Sequence, residues 1–194
     1  MIDFVYSSVY DELFTVMKKK KYSGKQYVDM ERFTASLQSF WEKEGKKIKG
    51  EIEKVSGLKF TYKVRCFTVK DMDFNAISFP FTLKYNKNPD VITGILIHEL
   101  IHVLLKDNKK VLELIRKKFG YEDYDFKVHF PVLLIQRRVT ENLYGKEYFK
   151  KVLQQERDID ELGYEWDRVN QYYPKFEKGI VGFLQNVINF SGIV

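Results

Sequence analysis

The chain has 194 residues, of which 44% are hydrophobic, 16% aromatic and 31% charged, with a formal net charge of +6. That length buries a substantial core without covalent staples and points to one domain over residues 1–194. A lone cysteine, Cys66, excludes an internal disulfide framework, and no apolar run reaches the length of a membrane span.

Residues 3 to 19 carry Val5, Val9, Leu13, Phe14 and Met17 at helical spacing, closed by Lys18 to Lys21, and read as a core-facing helix. Ser23-Gly24 is a turn. A second amphipathic helix runs from Tyr27 to about Lys47 through Met30, Phe33, Leu37, Phe40 and Trp41, ending near Gly45 and Gly50. The period then changes to two. Leu58, Phe60, Tyr62, Val64 and Cys66 alternate with Lys59, Thr61, Lys63 and Arg65, a half-exposed strand with Cys66 as a buried structural thiol. Ile77, Phe79, Phe81, Leu83 and Tyr85 repeat the pattern, and Pro80, which has no N–H to give a ladder, sends this strand to a sheet edge.

Asn88 as N-cap, Pro89 at the first helical position and Asp90 in the first turn start the next helix, which stops at Lys106-Asp107-Asn108. A short helix over Lys109 to Lys118 ends at Gly120, and Tyr121 to Lys127 reads as a loop. Pro131 opens a helix to about Tyr144, ended by Gly145. Further helices are expected from Lys146 to Gln155, Asp158 to Gln171 and Lys175 to Phe190. The fold class is therefore α+β. A sheet-containing part spans about 1–88, and a helical part spans about 89–194.

Chemistry concentrates in the helix that begins at Pro89. His98 and His102 stand four residues apart, so both imidazoles lie on one helix face and can reach a single metal ion. Glu99 sits beside the first and can take a proton from water held at that ion. The surrounding residues Ile95, Leu96, Ile97, Leu100, Ile101, Val103 and Leu104 are apolar, so the helix reads as buried on most sides. A buried helix has little structural reason to carry His-Glu-x-x-His unless binding offsets its desolvation.

The segment from Ile95 to Leu104 resembles the active-site helix of the zincin metalloproteases. The resemblance implies a zincin-like fold, bound Zn2+, a peptide or protein substrate, and hydrolysis with Glu99 as general base. It also implies that the edge strand before the helix receives an extended peptide; the plainer alternative is an edge guarded by proline and lysine against aggregation. The metzincin extension is absent, since Leu105 stands three residues past His102.

Hydrolytic zinc usually takes a third protein ligand. His129, the only other histidine, is the first candidate and has an alternative role as an oxyanion donor. Glu141, at a spacing compatible with gluzincins, is the second, although Arg137 offers it an ion pair and Gly145 stands where many gluzincins carry an acid. Glu113 is a third. Tyr121 and Tyr124 are further oxyanion donors to consider. Two other functions remain open: removal of a small acyl or formyl group by the same motif, and a zincin-like interaction module without turnover. The lysines fall in short runs at helix ends and no nucleic-acid module accompanies them, so nucleic acid is not an expected partner; with no apolar run of membrane length, neither is a membrane. No charged-then-apolar leader is read at the start, and a cytoplasmic protein is expected.

Overall fold

The computed structural model describes residues 2–159, 162–176 and 179–186. The first strand is one that sequence periodicity missed. β1 (Ile2–Tyr6) buries Ile2 and Phe4 around an exposed Asp3, and α1 (Ser8–Met17) begins only after Ser7 caps it through Tyr10 N–H. The expected helix over residues 3 to 19 is thus a strand followed by a shorter helix. Its orientation is also reversed: Asp11 and Thr15 face inward, while Val9, Leu13, Val16 and Met17 face outward.

α2 (Gly24–Ser56) continues through both Gly45 and Gly50 for 33 residues. Its apolar stripe does not stop at Trp41 but recurs at Ile48, Ile52 and Val55, all buried, and that continuity outweighs two glycines costing about 1 kcal/mol each. It ends at Gly57, whose φ of +73° suits a residue without a Cβ. β2 (Val64–Val69) therefore starts six residues later than the alternation beginning at Leu58 indicates.

The expected strand over Ile77–Tyr85 is a hairpin. β3 (Ala76–Ser78) pairs antiparallel with β4 (Phe81–Lys84) around Phe79 and Pro80. The sheet order is β1-β2-β4-β3, with β1, β2 and β4 mutually parallel. β4 is interior and β3 is the edge, so the edge position belongs to half of the expected strand, and Pro80 sits in the turn.

α3 (Pro89–Lys106) and α4 (Lys109–Lys118) fall where the sequence pattern puts them, and Asn108, which marked only the end of α3 in the sequence, caps α4 through Val111 N–H. α5 (Tyr124–Tyr144) begins seven residues before Pro131, which lies inside it. Asp123 supplies an N-cap, accepting from Phe126 N–H at 2.7 Å, and the buried rings of Phe119, Phe126 and Phe130 pack within 5.5 Å of one another. That cap and cluster hold the first turns despite the lost hydrogen bond at proline. α6 (Lys146–Ile159), α7 (Gly163–Tyr172), a single 3-10 turn (Tyr173–Lys175) and α8 (Ile180–Asn186) follow. The parts of the expected last two helices at 160–161, 177–178 and 187–190 lie outside the described residues.

The chain is α+β, with eight α-helices and one small mixed sheet among the described residues. It divides into two compact units, Met1–Lys49 with Thr61–Glu99 and Gly50–Phe60 with Leu100–Val194. The four strands belong to the first. No helix among the described residues is long and apolar enough to cross a membrane.

Candidate metal centre

α3 is apolar on nearly every side: Leu96, Ile97, Leu100, Ile101, Val103, Leu104 and Leu105 are all buried. Its entry is fixed by Asn88, whose side chain accepts from Asp90 N–H at 3.0 Å, and by Thr93, whose hydroxyl donates to the Pro89 carbonyl at 2.8 Å. Within this apolar cylinder His98 and Glu99 are each only 8% exposed. Such burial is costly for imidazole and carboxylate unless partners or an ion compensate it.

The Glu99 carboxylate has one such partner in β3. The Ser78 hydroxyl donates to Glu99 Oε2 at 2.5 Å, tying the edge of the sheet to the motif helix. Cys66, on β2, is fully buried; burial and then the charge of Glu99 push its thiol well above the ordinary value. It is a packing residue, as its place on the apolar face of the alternation indicates.

His129 lies in the second turn of α5, not in a loop ahead of a helix. Its ring stands edge-on to His102, with centroids 5.2 Å apart and planes at 89°. One coordinating atom from each of His98, His102 and His129 can be chosen so that all three lie within 4.8 Å of one another. His129 Nδ1 is 3.0 Å from the Asp125 carbonyl oxygen. A carbonyl can only accept, so this bond places a proton on Nδ1, and in the neutral ring the lone pair is then on Nε2. Metal-binding histidines are usually oriented by such a bond from the second ring nitrogen.

The donor set fits a borderline divalent cation. Three imidazole nitrogens around zinc, each at about 2.0–2.1 Å, stand about 3.4 Å apart, within a side-chain rotation of the spacing found here. Among the described residues, no cysteine or carboxylate joins the three histidines as a fourth ligand. Such a trio leaves a coordination position for water or substrate, as catalytic sites do.

Neither of the other ligand candidates, Glu141 and Glu113, joins the three histidines. The Glu141 carboxylate accepts from Arg137 Nε at 3.1 Å and from the Tyr173 hydroxyl at 2.5 Å. Glu113 is exposed on α4, and Tyr121 and Tyr124 are exposed too. Ser78 was not anticipated; its only signal in the sequence is a hydroxyl on the strand immediately before the motif helix. Comparison with known proteins adds no assignment: no family model, curated protein or solved structure matches the chain.

Proposed function

We propose that the chain is a zinc-dependent hydrolase acting on amide bonds, and by preference a peptidase of zincin type. The observation that carries this reading is the meeting of His98, His102 and His129 beside a buried carboxylate that follows the first of them in the chain. A divalent ion bound by these imidazoles would polarise a carbonyl and lower the pKa of water toward about 7. Glu99 then accepts the proton of the attacking water and delivers it to the departing nitrogen. Ser78, by donating to Oε2, holds the carboxylate in place for that transfer. With Nδ1 donating to the Asp125 carbonyl, Nε2 is the His129 atom that would take the ion.

β3 supports the peptide preference as an antiparallel edge joined to Glu99 through Ser78. Its length of three residues favours a second reading, in which a small acylated amine replaces an extended peptide, because little main-chain pairing is on offer.

Elemental analysis of the purified protein and a peptide-library cleavage assay test the proposal together. The wild type is expected to hold a stoichiometric divalent ion and to cleave. Glu99→Gln is expected to keep the ion and lose turnover by about 10²–10⁴-fold; undiminished cleavage by that variant removes the mechanism. His129→Ala should lose the ion while Glu141→Ala keeps it, and the opposite pattern transfers the ligand role to Glu141.

A further inference from the structure

α1 is amphipathic in the reverse sense. Val9, Leu13, Val16 and Met17 recur at helical spacing and form one continuous stripe, yet they are 73, 54, 59 and 68% exposed. The opposite face carries the fully buried Asp11 and Thr15. This orientation is locked by hydrogen bonds. Asp11 Oδ1 accepts from the Lys70 N–H at 2.7 Å and the Asp71 N–H at 3.4 Å. Its Oδ2 accepts from the Tyr6 hydroxyl at 2.9 Å and Gln26 Nε2 at 3.0 Å, and the same amide donates to Thr15 Oγ1 at 3.0 Å. A rotation that buried the stripe would strand that carboxylate, so the apolar face is held outward.

The stripe ends in lysines. The Lys19 N–H donates to the Val16 carbonyl and the Lys20 N–H to the Thr15 carbonyl, which closes the helix with Lys19 at φ +56°. Glycine is the usual occupant of that position, because a side chain there is strained. Lys18 and Lys20 pair with Asp73 and Asp71 at 2.9 and 2.8 Å, which fastens the loop after β2 beside the helix end. In that loop Met72 is buried, while Phe74 is 68% exposed. Lys19, Lys21 and Lys25 are exposed as well.

We infer that α1, with Phe74 and the lysines that follow the helix, is a docking face for an anionic phospholipid surface. Aliphatic side chains enter the interface while the ammonium groups meet lipid phosphates and carboxylates. A second copy of the chain fits poorly: in a two-fold interface the same patch faces itself, and the lysine rim would oppose its own charge. The expectation of no membrane partner rests on the lack of a spanning segment, and a helix lying in the interface needs none. The inference is independent of the proposed hydrolase activity.

Co-sedimentation of the full chain with vesicles tests it. The wild type should sediment with phosphatidylserine–phosphatidylcholine vesicles at low salt and not with phosphatidylcholine alone. Lys19→Ser/Lys21→Ser should weaken partitioning roughly thirtyfold, taking about 1 kcal/mol per lysine near an anionic surface. Leu13→Asp/Met17→Asp should weaken it by about tenfold or more for each side chain withdrawn. All four positions are exposed, so circular dichroism and the melting temperature should match the wild type. No partitioning into anionic vesicles overturns the inference, as does partitioning indifferent to the Leu13/Met17 pair. A concentration-dependent dimer that the same pair abolishes assigns the face to self-association and equally overturns it.

Discussion

A hydrogen bond of 2.5 Å from Ser78 to Glu99 is the kind of contact whose removal separates positioning from binding. Ser78→Ala leaves every histidine in place, so metal content should be unchanged, while kcat should fall by about tenfold to a hundredfold, the usual effect of losing an orienting partner. Ser78→Thr retains the hydroxyl and should restore most of that rate; equal loss in both variants would assign the effect to strand packing. Glu141 is governed by different contacts. It is held by Arg137 and by Tyr173, 32 residues away in sequence, and Glu141→Gln should destabilise the fold by about 1–3 kcal/mol without altering metal content. Denaturant midpoints and elemental analysis check the two halves of that statement. The spacing of His98, Glu99 and His102 was readable from sequence because a helix converts four residues into one turn. The approach of His129 was suggested only by the scarcity of histidine. Ser78 was not readable, because nothing in a run of alternating residues says which hydroxyl will reach a carboxylate 21 positions later.

Helices with good caps were readable, and segments decided by partners were not. α3 begins at the expected cap because Asn88 satisfies its own first turn, a purely local matter, and Asn108, read in the sequence only as the end of α3, does the same for α4. β1 depends on pairing with β2, more than sixty residues away, and its five residues are too few to announce a period. α5 ignored Pro131 because Asp123 and three phenylalanines outweighed one missing bond. α2 ignored its glycines, and those two glycines are not equivalent. A Cβ added at Gly45 would lie 2.4 Å from the buried Trp41 ring, whereas at Gly50 it meets nothing within 4 Å. Gly50→Ala should therefore stabilise the protein by about 0.4–1 kcal/mol through helix propensity and reduced unfolded-state freedom. Gly45→Ala gains the same and loses about 1–3 kcal/mol to overpacking. Opposite shifts of the thermal midpoint are the expected result; shifts of the same sign would mean that Trp41 does not lie over Gly45.

At the scale of the whole molecule, stability is linked to what the protein binds and to the protons it holds. An ion taken up only by the folded chain at a hundred times its dissociation constant adds about 2.7 kcal/mol. If the three-histidine cluster takes up such an ion, the melting temperature of a chain of this size should rise by roughly 5–10 °C, an effect reversed by a chelator and absent in His98→Ala. The alkaline limit follows from two tyrosines. Burial, then the hydroxyl of Tyr22 and the carboxylate of Asp11, raise the Tyr6 phenol far above its ordinary value. Burial and the Glu141 carboxylate raise Tyr173, overcoming the guanidinium groups of Arg137 and Arg138 that lie over its ring. A folded pKa above the unfolded one contributes stability that is complete below about pH 10 and is lost as pH rises toward the folded value, because the native state then holds more protons than the unfolded chain. Urea midpoints should therefore be flat through neutral pH with respect to these two groups and decline above pH 10. Tyr6 and Tyr173 should add their phenolate absorbance only with unfolding. A single smooth titration of all 13 tyrosines near pH 10 in a chain that is still folded would show that the carboxylates of Asp11 and Glu141 do not hold these phenols.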